Sequence, residues 1–249
     1  MKIKTFTILK RNAVLIFVIF FNVNTCLGQA NENYSDNFLT QTFKTYHSAD
    51  REMANYLEPF LRTRLDEQLK DTLSLTNPFD SLSKYVRILN SSDSAVKYYG
   101  WSVPIGNCCY GSSSFIQFRD SAGKIKHHAF GQNTDDPDWL VYDIYPLKLE
   151  NEMRYLLLGW GSCCGGKHHK IARIYKIKND SFVQCDYVFS NDSEIRAGAN
   201  RRQKIEMSYS PKSRTLSYNA YSFDDTIGFY THELELIKWK LVKWSFIRK

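Results

Sequence analysis

The sequence predicts a mainly β fold of repeated antiparallel β-meanders, propeller-like or a sandwich, with an N-terminal helical segment. First, the chain contains 16 Tyr, 16 Phe and 5 Trp, residue types that favour strands. Second, short apolar segments alternate with turn residues from about residue 80 onward. Third, two stretches read alike, each with a Gly-Trp pair and two adjacent cysteines. Trp101 lies 29 positions before Phe130, and Trp160 lies 29 positions before Phe189, which indicates an internal repeat.

The first 28 residues are predicted to be a signal peptide. Four basic residues precede an uninterrupted apolar run over residues 13–21, which is well short of the roughly 20 residues that span a bilayer. Cleavage is expected near Gln29. The remaining chain carries 29 basic and 26 acidic residues and no further membrane-spanning stretch. Such an ordinary charge balance, without a basic stripe interleaved with aromatics, argues against a nucleic-acid partner.

Residues 29–78 are predicted to form a polar start and a helical segment. Pro59 predicts a kink or a break into two shorter helices, and Ser48 or Asp50 is expected to cap the longer one. An apolar residue recurs every fourth position, as expected for one face of a helix, with two aromatic residues widening the stripe: Met53, Leu57, Leu61, Leu65, Leu69 and Leu73, with Tyr56 and Phe60.

Residues 79–249 are predicted to form one β-rich domain of about three four-stranded meander units. The third unit lacks the cysteine pair. Its segment 234–246 contains no Gly, Asn or Pro, so it is either one long strand or a tight hairpin. A propeller ring normally needs at least four blades. Three units therefore also fit a twisted sandwich, a partial barrel, or closure by a second chain.

Two segments carry a resemblance to a known group of proteins. One runs from Arg154 through three leucines and a glycine to Trp160 and is followed by Arg173-Ile-Tyr175. The other covers residues 86–93 and is followed by Tyr98-Tyr-Gly-Trp101. Over residues 80–190 the chain resembles uncharacterised exported β-rich proteins of Bacteroidota. The resemblance implies export and a β-rich fold, and it implies no particular activity.

Five cysteines follow the predicted cleavage site. In an oxidising compartment, four cysteines in two loops form disulfides most simply. Adjacent cysteines rarely bond each other, so we expect cross-pairing between Cys108 or Cys109 and Cys163 or Cys164. Cys185 is then the odd thiol, buried on its strand beside Val183, Tyr187 and Phe189.

The alternative for the same cysteines is a metal site. Cys163, Cys164, His168 and His169 place thiolates and imidazoles within seven positions, and zinc or copper favours such ligands. The first unit repeats these residue types with Cys108, Cys109, His127 and His128. Against this, neighbouring residues of a strand point to opposite faces, and the C-x-x-C spacing of firm zinc sites is absent.

The function predicted from the sequence is that of an exported, non-catalytic β-rich binding protein or envelope-associated structural protein. The sequence contains no serine-hydrolase elbow, phosphate loop or zinc-protease motif. A Cys/His nucleophilic pair has no supporting motif. No cofactor is expected, and the partner would be an unknown envelope component or protein, in the periplasm, at the cell surface or outside the cell. The alternative is a zinc- or copper-binding protein. Four tryptophans are expected mostly in the core, although any of them could line a ligand surface: Trp101, Trp160, Trp239 and Trp244.

Overall fold

The computed structural model describes residues 36–105, 109–130, 139–149, 152–163, 165–190 and 192–249, with the backbone alone at positions 105, 109, 110 and 163. The predicted signal peptide lies outside these residues. Among the described residues, no helix has both the length and the apolar character needed to cross a membrane.

Two helices begin the described chain. Helix α1 covers residues 36–48 and helix α2 covers Arg51–Leu69. Asp50 caps α2, because its carboxylate accepts a hydrogen bond from the Met53 N–H at 2.9 Å. The predicted break at Pro59 is wrong, since α2 continues through this residue. The exposed side of the helix tolerates Pro59 because water reaches the carbonyl that lacks a partner there.

The buried face of α2 consists of Ala54, Leu61, Leu65 and Leu69. The predicted stripe is correct in its middle and wrong at its ends, because Met53 is 50% exposed and Leu73 is 55% exposed. A four-residue repeat drifts by about 40° per step around a helix of 3.6 residues per turn. Leu73 also lies beyond α2, in the short 3₁₀ segment Thr72–Leu75. A second 3₁₀ segment, Leu82–Lys84, precedes the strands.

Thirteen strands in the described chain form three antiparallel sheets. Sheet A has the order β1-β2-β3-β4, sheet B the order β5-β6-β7-β8 with β9 also paired to β7, and sheet C the order β10-β11-β12-β13. Their bounds are Arg87–Asn90, Val96–Ile105, Cys109–Arg119 and Ile125–Ala129 for β1–β4; Leu140–Leu149, Glu152–Cys163, Lys167–Lys178, Ser181–Gln184 and Glu194–Asn200 for β5–β9; and Met207–Ser210, Thr215–Asp224, Phe229–Val242 and Ser245–Arg248 for β10–β13.

The predicted mainly β fold with antiparallel meanders is therefore confirmed. Strand β9 was not predicted; it lies beside the first half of β7, while β8 pairs with the second half. The C-terminal segment forms a tight hairpin, in which Lys243 adopts the left-handed backbone conformation between β12 and β13. Cys185 is buried as expected, but Tyr187 is exposed because the chain turns there with a positive φ.

The sheets pack as consecutive layers with three hydrophobic cores. The helices pack against one face of sheet A through residues such as Phe43 and Trp101. The other face of sheet A shares a core with sheet B, and the opposite face of sheet B shares a core with sheet C. Sheet B is thus buried on both faces, which explains the uninterrupted Leu156-Leu157-Leu158 in its central strand.

The two Gly-Trp pairs occupy corresponding places in sheets A and B. A Cβ at Gly100 would overlap the Tyr98 side chain, and a Cβ at Gly159 would overlap the Trp139 ring. Both aromatic residues belong to the core between the two sheets. Trp101 and Trp160 directly follow these glycines, and successive side chains of a strand point to opposite faces of the sheet. Both tryptophans therefore point away from the core between sheets A and B. The helices bury Trp101, whereas 39% of Trp160 is exposed.

Candidate functional site

Trp160, which is 39% exposed, lines a cleft of about 780 Å³ between sheet B and the connection from β9 to β10. This volume lies in the range of small-molecule binding pockets. Among the described residues, five of the lining side chains are cationic and none is a carboxylate: Lys167, Lys170, Arg201, Arg202 and Lys204. The cleft is therefore the basic feature of the molecule best suited to hold a ligand, and we call it the basic cleft.

One wall of the basic cleft is the hairpin of β6 and β7. Trp160 lies directly opposite Lys170 in the register of these strands, and Ser162 lies opposite His168. Residues that face each other across an antiparallel pair share one face of the sheet. The strand pairing alone therefore brings an aromatic ring, a hydroxyl, an imidazole and an ammonium group together on this wall.

The other wall is the turn at residues 200–204, which sheet C holds in place. Asn200 and Tyr230 exchange two hydrogen bonds: the Asn200 amide donates to the Tyr230 carbonyl at 2.6 Å, and the Tyr230 N–H donates to Asn200 Oδ1 at 3.1 Å. The Gln203 amide donates to the Thr231 carbonyl at 2.5 Å and accepts from the Asn200 N–H at 2.8 Å. These contacts fix the turn while Arg201 and Arg202 remain exposed.

A short hydrogen-bonded chain connects the two walls. The Trp160 indole N–H donates to His168 Nδ1 at 3.3 Å, and His168 Nε2 lies 2.8 Å from the Gln203 carbonyl oxygen. Since Nδ1 accepts, the proton of the neutral ring lies on Nε2 and is donated to Gln203. His168 therefore holds the edge of the Trp160 ring that carries the indole N–H.

Lys167 and Lys170 of the basic cleft contact aromatic rings, which carry no charge and leave the positive charge of each ammonium group in place. The Lys170 ammonium lies 4.6 Å from the centre of the Tyr142 ring, and the Lys167 ammonium lies 5.2 Å from that of Phe223. Burial lowers the pKa of Lys170, an effect that Glu206 opposes. Lys204 differs, because it forms an exposed ion pair with Glu206 at 2.7 Å.

The predicted metal ligands are only partly within the described residues. Cys164 lies outside them, and for Cys163 only the backbone is described. His168 and His169 point to opposite faces of β7: His168 lines the basic cleft, whereas His169 is buried. Burial and the charge of Arg196 lower the pKa of His169 to about 4. A metal at His168 would have to displace one of its two hydrogen bonds.

The histidines of the first unit lie elsewhere. His127 Nε2 is 3.1 Å from an oxygen of Asp66 on α2, and the His128 ring packs on Phe118. The described part of the chain contains no group of three or more His, Cys, Asp or Glu residues placed to hold a metal ion. The zinc or copper site and the disulfides between the 108/109 and 163/164 pairs both depend on cysteine side chains outside the described set, so both stay predictions.

Comparisons with known proteins give no family for this chain. No protein-family model matches it, and no curated protein is significantly similar to it.

The sequence indicates Trp160 as a possible ligand contact, but it does not indicate that cationic side chains surround this residue. The signal was the run Arg201-Arg202-Gln203-Lys204 between two strands, which is short and lies more than thirty positions from Lys167 and Lys170. Only the pairing of β9 with β7 brings the two groups of cations together.

Proposed function

We propose that the protein is an exported, non-catalytic binding protein that holds an anionic ligand in the basic cleft. The observation that carries this proposal is the convergence of five cationic side chains, with no lining carboxylate in the described chain, around an exposed tryptophan. Cations confined to a partly enclosed, low-dielectric cleft attract an anion far more strongly than the same charges spread over a surface.

The charge of the cleft is local rather than general. Beyond residue 28 the chain carries only three more basic than acidic residues, so non-specific attraction to polyanions has little support. Arg201 and Arg202 form no ion pair with a described carboxylate, and guanidinium groups bind carboxylates, sulfates and phosphates in a bidentate manner. The cleft is therefore suited to a specific anion.

The remaining parts of the proposal concern the setting of the protein. Export rests on the basic and apolar start of the sequence, and it agrees with disulfides between the cysteine pairs. The partner is an envelope component or protein in the periplasm, at the cell surface or outside the cell. The matching places of the two Gly-Trp pairs support an internal repeat of sheets A and B.

Calorimetric titration of the purified protein with inorganic sulfate at low ionic strength tests the cleft. We expect saturable binding that weakens as salt is added. The double variant R201A/R202A should weaken it by about tenfold or more, because losing even one charge-assisted hydrogen bond costs roughly 1.5–3 kcal/mol. The matched control is K212A, which removes an exposed charge from the turn between β10 and β11. Equal sulfate binding by all three proteins, or none by the parent, would refute the proposal.

A further inference from the structure

Trp160 offers the ligand a flat surface of fixed orientation. His168 engages the indole N–H, and 39% of Trp160 remains exposed, so the ring offers a ligand mainly apolar surface. Such a surface packs against another flat and partly apolar face, like the C–H face of a sugar ring or a nucleobase. A small inorganic anion makes no use of it.

The cations of the basic cleft stand on both of its walls. Lys170 belongs to β7 beside Trp160, whereas Arg201 and Arg202 belong to the opposite turn. With about 780 Å³ between them, the two walls match a ligand that carries acidic groups at more than one point along its length. One tetrahedral anion would satisfy only one wall.

The number of aromatic side chains in the basic cleft favours a saccharide ligand over a nucleic acid. Proteins that hold single-stranded nucleic acid stack successive bases on successive aromatic side chains. Among the described residues that line the basic cleft, Trp160 is the single Phe, Tyr or Trp, and the one imidazole, His168, is held by Trp160 and Gln203.

We propose that the ligand is an acidic oligosaccharide, with one sugar ring stacked on Trp160 and its carboxylate or sulfate groups bound by Lys170 on one wall and by Arg201 and Arg202 on the other. This inference rests on the proposed function, because it specifies the anion that the basic cleft binds.

The test compares four probes on the full-length purified protein by calorimetric titration: an oligogalacturonate of three or four rings, a neutral maltooligosaccharide of the same length, inorganic sulfate, and a short oligothymidylate. The variant W160L removes the flat ring and keeps an apolar side chain. Its matched control is W244L, which alters an exposed tryptophan in the hairpin between β12 and β13. Thermal unfolding of each variant checks that its fold is retained.

We expect the acidic oligosaccharide to bind at least tenfold more tightly than sulfate and than the neutral oligomer. W160L should weaken oligogalacturonate binding about tenfold and sulfate binding much less than that, whereas W244L should change neither. Sulfate binding without tighter binding of oligogalacturonate would overturn this inference and leave the proposed function standing. Tighter binding of the oligothymidylate, or equal binding of the neutral oligomer, would also overturn it. Absence of sulfate binding by the parent protein would overturn both.

Discussion

At the scale of single residues, Lys97 is the most unusual side chain in the core. It is 1% exposed, and its ammonium donates to the Ser74 carbonyl at 3.0 Å and to the Asn77 carbonyl. The rings of Phe79 and Tyr99 lie about it, with centres at 4.9 Å and 5.4 Å. Carbonyl dipoles and ring faces thus replace a carboxylate partner, and they link the 3₁₀ segment after α2 to sheet A.

This environment makes stability depend on pH in the alkaline range. Burial lowers the pKa of Lys97 from 10.5 to about 8. Between these values the unfolded chain holds a proton that the folded protein has lost, so the free energy of unfolding rises with pH. The rise should be roughly 2 kcal/mol between about pH 7.5 and 9.5. Urea denaturation of the parent and of K97M across this range measures it.

The variant K97M isolates the effect of this group from other titrations. Burial raises the pKa of Cys185 and of several tyrosines such as Tyr145, which lowers stability at high pH in both proteins. The difference between the two proteins should therefore grow in favour of the parent as the pH increases. Parallel curves would show that the Lys97 ammonium keeps its charge in the folded protein.

At the scale of elements, the start of α2 depends on one hydrogen bond. Asp50 accepts from the Met53 N–H, one of the donors that a helix leaves without an internal partner. We expect D50A to lower the free energy of unfolding by about 1 kcal/mol, as measured by urea denaturation. D50N retains the capping oxygen and should stay within a few tenths of the parent. An equal loss in both variants would assign the effect to charge rather than to the cap.

The elements also show how far the sequence allows prediction. The strand positions follow from alternating apolar residues separated by turn residues. This pattern is strong enough in the sequence to predict strands in all three sheets. Proline usually ends or kinks a helix, so Pro59 predicts a kink or a break, whereas the cap expected at Ser48 or Asp50 is the local signal that marks the start of α2. Exposed Tyr56 and Phe60 were assigned to the buried stripe, since composition does not reveal which part of a helix faces the sheet.

The basic cleft could not be predicted, because its parts become neighbours only through tertiary pairing. Strand β9 has the sequence Glu-Ile-Arg-Ala-Gly-Ala-Asn, with small residues in place of the aromatic and branched ones that mark strands. The Tyr230 side chain packs against Gly198 of β9, and a Cβ at this position would overlap it. Without β9 in the sheet, the turn that carries Arg201 and Arg202 has no predictable place beside Trp160.

At the scale of the whole molecule, the packing of sheets A and B decides where one cysteine of each pair lies. Cys109 begins β3 and Cys163 ends β6. The Ser112 hydroxyl, three residues after Cys109, donates to the Trp139 carbonyl at 3.0 Å. The next residue, Leu140, lies opposite Trp160, which is three residues before Cys163. The backbones of Cys109 and Cys163 therefore lie toward the same end of the two packed sheets.

We therefore expect a disulfide to join Cys108 or Cys109 to Cys163 or Cys164 in an oxidising compartment. Peptide mapping by mass spectrometry without reduction should recover one linked peptide containing both pairs, with Cys185 as the thiol that reacts only after unfolding because it is buried in the core between sheets B and C. Closing a loop of about 55 residues should stabilise the fold by roughly 3–4 kcal/mol, so reduction should lower the unfolding temperature. Free thiols in both pairs would contradict the cross-link, and stoichiometric zinc or copper with those thiols would favour the metal site instead.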